Sequence, residues 1–112
     1  MANAFKNRTL RAVGTTATPV GAAVAASTET TLIGMTIANT TSGVISVTVT
    51  LTDNAGTPNV THLVLDAPVP TGGSLVVLGG DQKVCLMTGD IISVKSNTAS
   101  SADVIMSFLE IT

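Results

Sequence analysis

The segment from Val44 to Thr52 most constrains the fold, because polar and apolar residues alternate strictly from Ile45 onward. Successive side chains of a β-strand point to opposite faces of the sheet, so every second residue shares a face. One face of this segment is aliphatic and the other carries hydroxyls: Ile45, Val47, Val49 and Leu51 against Ser46, Thr48, Thr50 and Thr52. A helical period would mix the two sets. The segment therefore predicts a half-buried strand.

Short apolar segments continue along the chain, separated by clusters of Gly, Pro, Asn and Asp. We expect turns at residues 39–43, 53–59, 79–81 and 88–90, because these residue types favour turn conformations. Turns spaced about 8–12 residues apart predict roughly seven or eight short strands in an all-β, antiparallel sandwich. Both a jelly-roll-like and an immunoglobulin-like arrangement fit this pattern.

The 112 residues are enough for one domain. Residues 1–13 show no sustained period, so we expect an N-terminal arm there and a sandwich domain over residues 14–112. Lys6, Arg8 and Arg11 supply three of the five basic residues, and no acidic residue precedes Glu29. The arm is either solvated or docks on an acidic partner. In both cases removal of residues 1–11 is expected to leave the melting temperature unchanged.

Two segments, residues 75–78 and 104–109, are apolar at nearly every position and lack a polar face. They are either central strands with a few exposed apolar residues or part of an interface with another chain. The interface hypothesis favours a homo-oligomer, with a trimer preferred. Under this hypothesis we expect the partner to be bound by the three basic residues of the arm and by alternate apolar positions of the two segments. These residues are Lys6, Arg8, Arg11, Leu75, Val77, Val104, Met106 and Phe108.

The sequence offers little catalytic chemistry, and we predict a protein that is not an enzyme. His62 and Cys85 are the only residues of their types and form no nucleophile–base motif. No metal-binding or cofactor-binding spacing occurs, so neither is expected. Aromatic residues are 2% and the net charge is −2, which disfavours nucleic acid and a small-molecule substrate such as a sugar. No segment approaches the roughly 20 apolar residues of a membrane span.

Several short segments resemble the small virion structural proteins of tailed bacteriophages, especially those of marine and cyanobacterial phages. The resemblance covers roughly residues 30–112 and is weak in the N-terminal segment. The segments are turns and strand boundaries: Ile37-Ala38-Asn39-Thr40-Thr41, Pro70-Thr71-Gly72-Gly73-Ser74-Leu75, Gly79-Gly80-Asp81-Gln82-Lys83-Val84, Leu86-Met87-Thr88-Gly89-Asp90 and Ser107-Phe108-Leu109-Glu110-Ile111.

The resemblance implies a β-sandwich subunit used in many copies on the particle, and it implies no individual functional residue. The expected function is capsid decoration or cement, with the major capsid protein, or a neck or tail protein, as partner. The expected location is the virion, assembled in the host cytoplasm. Alternatives are a subunit of the neck, tail or fibre, or a free-standing binding or adhesion module.

Overall fold

The computed structural model describes residues 3–21, 23–53, 59–78 and 83–111, and nine β-strands lie within these ranges. The fold prediction is confirmed, since the chain is an all-β, antiparallel sandwich. The predicted turns at 53–59 and 79–81 fall mainly on residues outside the described ranges. The strands are β1 Asn3–Val13, β2 Thr18–Pro19, β3 Glu29–Asn39, β4 Ile45–Asp53, β5 Asn59–Val69, β6 Ser74–Leu78, β7 Val84–Leu86, β8 Ile91–Ser96 and β9 Ala102–Ile111.

Two sheets form the sandwich. The five-stranded sheet has the order β1-β9-β3-β6. Strand β7 pairs with β3 along the same edge as β6, but with a different part of that strand. The four-stranded sheet has the order β2-β8-β4-β5. The strand β1 is therefore an edge strand, and so is β5 in the other sheet.

The core lies between the inner faces of the two sheets. Val47 and Val49 are fully buried there, as the alternation in β4 predicts, and the hydroxyl residues of β4 lie on the outer face. From the five-stranded sheet, β9 and β3 contribute the largest buried side chains. These are Phe108, Met106, Leu32, Met35 and Ile37.

The predicted arm is a strand of the sandwich over its described part. β1 pairs antiparallel with β9, from Asn3 opposite Ile111 to Leu10 opposite Val104. The Lys6 Nζ donates a hydrogen bond to Glu110 Oε1 at 2.9 Å. The prediction of an arm outside the domain is corrected here. Its error has a physical cause, because the long stems of Lys and Arg can cover apolar surface although a hydropathy pattern counts them as polar.

Asn39 fastens the turn after β3 to the other sheet. Its side chain is buried, and its Nδ2 donates to the carbonyl oxygens of Gly43 at 2.7 Å and Val69 at 2.9 Å. Its Oδ1 accepts hydrogen bonds from the backbone N–H and the hydroxyl of Thr41, both at 2.8 Å. Both amide hydrogens and both lone pairs of the side-chain oxygen are therefore used. The hydrogen bonds of the Asn39 side chain therefore stabilise the predicted turn at 39–43.

Asn39→Ala is expected to lower the free energy of unfolding by about 1–3 kcal/mol, because it leaves the buried Val69 carbonyl without its donor. Urea denaturation measures the change. Thr41→Val is the matched control, since it removes only the hydroxyl bonds at the exposed side of the turn and should cost less. Equal losses for the two variants would contradict the role assigned to the Asn39 amide.

Candidate partner-binding surface

The outer face of the five-stranded sheet presents an unusual set of side chains. Paired residues share a face, so the strand register defines rows across the sheet. One row contains Phe5, Leu109, Thr31 and Cys85, and the next contains Asn7, Ser107 and Gly34. A third row contains Thr9, Ile105, Thr36 and Val76. These three rows contain no charged residue.

Large apolar side chains on this face are open to solvent. Phe5 is 79% exposed, Val76 63% and Ile105 49%, while Leu109 is half-buried and Cys85 is exposed. We call the outer face carrying these five residues the apolar face. Several large exposed apolar side chains on one uncharged sheet face favour a contact with another protein, whereas single exposed apolar residues are ordinary.

A shallow groove lies at one end of the apolar face. Its volume is about 420 Å³, and its lining includes Thr9, Arg11, Thr36, Ala38, Asp103 and Ile105. A bulge in β1 shapes this end, because the register shifts between Leu10 and Val13 and Ala12 has a φ of +55°. The backbone N–H of Ala12 donates to Asp103 Oδ1 at 3.0 Å, which holds this carboxylate in place. The groove is therefore lined by threonine and aliphatic side chains together with one basic and one acidic residue.

The outer face of the four-stranded sheet has the opposite character. The hydroxyl residues of β4 lie beside Ser93, Lys95 and His62 of the neighbouring strands. Thr48 is covered by Asp66, whose backbone N–H donates to Thr48 Oγ1 at 3.1 Å. Apart from Val60 of β5, which is 58% exposed, the side chains named on this face are polar, as a solvated sheet face requires. The difference between the two outer faces marks the apolar face as the candidate contact surface.

The structure separates the residues that the sequence named for partner binding. Val104, Met106 and Phe108 lie in the core at 3%, 2% and 2% exposure, so their assignment to a partner surface is corrected. Leu75 and Val77 are half-buried and pack against the same core.

The three basic residues of the predicted arm also lie in different environments. Lys6 pairs with Glu110, Arg11 is exposed at the groove, and the Arg8 guanidinium lies over the Phe108 ring, 4.9 Å from its centroid. Arg8 also packs closely on Gly21, where an added Cβ would lie 2.5 Å from Arg8 Cδ. Only Arg11 of the three remains at the candidate surface, while Arg8 contributes to folding.

Arg8→Ala is therefore expected to destabilise the fold by about 1 kcal/mol, through loss of the cation–π contact and of the packing of its stem. The matched control is Arg11→Ala on the same strand, which is exposed and should change stability by less than about 0.5 kcal/mol. Chemical denaturation of both variants measures the difference. Equal effects would contradict the separation of the two arginines.

Sequence reasoning missed the exposed members of the apolar face, namely Phe5, Val76 and Ile105. Val76 and Ile105 alternate with the residues that it named, so it selected the strand face that points inward. Phe5 lies in the segment that was taken for an arm. The sequence does contain a feature that singles out Phe5, because it is one of only two aromatic residues in the chain.

The described ranges contain no cluster of three or more His, Cys, Asp and Glu residues suited to a metal ion. His62 is exposed on β5, and Cys85 is exposed on β7. Within the same ranges, no helix has the length and hydrophobicity needed to cross a membrane.

Comparisons with known proteins bear on the fold. No protein-family model matches the chain, and no curated protein matches it either. A solved structure of Bacillus endospore appendages, described as a novel family of disulfide-linked pili, is similar over 99% of this chain and 87% of that chain, with a TM-score of 0.55 and 14% identity. A structure of infectious bursal disease virus, strain Gt, matches 96% of this chain and 35% of that chain at 9% identity, and its TM-score of 0.44 is too low to indicate a shared fold. The first likeness shows a shared fold.

Proposed function

We propose that this chain is a non-enzymatic structural subunit that acts in many copies on a virion, as a capsid decoration or cement protein of a tailed phage. The observation that carries the proposal is the apolar face, on which Phe5, Val76 and Ile105 are exposed without a charged residue among them. The sequence resemblance to small phage virion proteins supplies the setting. The proposed location is the virion, with assembly in the host cytoplasm.

An exposed apolar sheet face is unfavourable for an isolated soluble protein, because burial of each large apolar side chain is worth about 1.5–3 kcal/mol. On a particle the same face is covered by a neighbouring chain. Repeated contacts between identical subunits also add through effective concentration, so that a modest interface suffices. A neck, tail or fibre subunit would use the face in the same way, and it is the alternative within the virion.

The fold likeness favours a second candidate, a subunit of a surface appendage. The similar protein belongs to appendages described as disulfide-linked pili. This sequence has one cysteine, Cys85, and one thiol per chain can link copies only in pairs. An appendage built from this sequence would therefore need non-covalent contacts between the pairs. A free-standing adhesion module is a further alternative, and it would leave the apolar face uncovered.

The test is the composition of purified phage particles that carry the gene for this chain. Quantitative mass spectrometry should find the protein at a fixed, high ratio to the major capsid protein. The same ratio should persist after a salt wash, since apolar contacts are insensitive to screening. Absence from purified particles, or presence in filaments on the cell surface, would contradict the virion proposal. Native mass spectrometry of the isolated chain tests the trimer that the sequence favoured.

A further inference from the structure

We propose that the apolar face binds a second copy of this chain, with Phe5 of each copy seated in the groove of the other. This inference rests on the proposed multi-copy function and adds the contact surface and the occupant. The contact is isologous, which means that both copies use the same surface, so it joins copies in pairs and predicts a dimer in place of the trimer that the sequence favoured.

The apolar face carries both halves of such a contact. Phe5 projects at one end of β1, and the groove begins at Thr9 and Arg11 of the same strand. Four to six residues of strand separate them, or about 14–20 Å. A two-fold axis that lies across the strands, near Asn7 and Ser107, exchanges the two ends of the face. It places Phe5 of one copy over Thr9 and Ile105 of the other.

The chemistry of the groove suits a phenyl ring. Its volume of about 420 Å³ accommodates an aromatic side chain, and Ile105 and Ala38 supply aliphatic contacts. Arg11 at the rim is exposed and can place its guanidinium against the ring, a contact worth about 0.5–1 kcal/mol at an exposed site. The Phe5 ring is 79% exposed in the single chain, so the groove of a second copy would remove most of that surface from water.

Charge also favours a second copy as the occupant. The rows of Phe5, Asn7 and Thr9 contain no charged residue, so two identical faces meet without repulsion between like charges. The groove end carries one charge of each sign, Arg11 and Asp103, and so presents no net charge to the Phe5 end of the other copy. A surface that docks on a strongly acidic or basic partner would instead carry charges of one sign.

The area of the apolar face determines how tightly we expect two copies to bind. Four strands are about 19 Å wide and residues 5–11 span about 20 Å, so the flat contact covers roughly 400 Å² per copy. Stable interfaces bury about 800 Å² per partner. We therefore expect an isolated pair to dissociate at micromolar to near-millimolar concentrations, and the contact to become strong only in a particle with many copies.

Sedimentation equilibrium of the full chain from about 10 µM to about 1 mM covers this range. We expect a monomer–dimer equilibrium, and Phe5→Ser should raise the dissociation constant at least about tenfold, as for a central aromatic contact residue. The matched control is Val60→Ser, which changes a residue of 58% exposure on the outer face of the four-stranded sheet and should leave the constant unchanged.

Cysteine cross-linking tests the register of the pair. In chains that also carry Cys85→Ser, F5C mixed with I105C should form a disulfide-linked dimer on mild oxidation, and F5C alone should not. A strictly monomeric chain up to about 1 mM overturns the proposal and leaves the face to another protein. An oligomer that Phe5→Ser does not weaken also overturns it. In that case the multi-copy function stands and a different surface joins the copies.

Discussion

Phe108→Ala is expected to lower the free energy of unfolding by about 3–5 kcal/mol. Phe108 is 2% exposed at the centre of the five-stranded sheet, with Leu32 beside it on β3 and the Arg8 guanidinium over its ring. Truncation to Ala removes a whole phenyl ring and leaves a cavity that strands on both sides cannot close. Because small domains are stable by only about 5–15 kcal/mol, this variant should be close to unfolding at 37 °C.

Phe5→Ala is the matched control, since it removes the same ring from a site that is 79% exposed. Its free energy of unfolding should stay within about 0.5 kcal/mol of the parent chain. Urea denaturation of both variants, measured below the concentration of self-association, gives the two values. A loss under about 1 kcal/mol for Phe108→Ala would show that the ring does not occupy the core as described.

Deletion of residues 1–11 is expected to lower the melting temperature by more than about 10 °C, or to prevent folding. The deletion removes most of β1 and thereby exposes the edge of β9. It also removes the contacts that Leu10 and Arg8 make with the core. A loss of 1 kcal/mol shifts the melting temperature of a domain of this size by about 4–8 °C, and removal of a whole edge strand costs several times that. This expectation reverses the prediction made from the sequence.

A full-length chain that carries Lys6→Gln and Arg11→Gln is the control for the deletion. It removes two of the three positive charges but retains the strand and the Arg8 contact with Phe108. Its melting temperature should stay within a few degrees of the parent, because an exposed ion pair such as Lys6–Glu110 contributes only about 0.2–1 kcal/mol. A deleted chain that melts at the parent temperature would restore the idea of an arm outside the domain.

The sequence predicts the fold class because alternation determines the faces of a strand wherever one face is polar. In β4 the apolar positions Val47 and Val49 lie inside, as the pattern requires. In β9 the outer face is mixed, because Ile105 and Leu109 lie there together with Asp103 and Ser107, so the contrast between the two faces is weaker than in β4. The structure selects Val104, Met106 and Phe108 for the core and leaves Ile105 outside. One residue of register would exchange these sets.

The strand order is also beyond a pattern of local residues. β1 and β9 are neighbours in the sheet although Lys6 and Phe108, which face each other, lie at opposite ends of the chain. Such a pairing depends on the packing of the whole core. It also explains why the candidate surface was missed, since Phe5, Ile105 and Val76 come together only when β1, β9, β3 and β6 are placed side by side.

Cryo-electron microscopy of the assembled particle shows directly which face of the sandwich makes the contacts. We expect symmetric copies of this sandwich in which the apolar face of every copy is covered by another chain, with Phe5 buried. The threonine-lined outer face of the four-stranded sheet should remain in contact with solvent. A map in which the apolar face is open to solvent while the threonine-lined face makes the contacts would contradict the role of the apolar face.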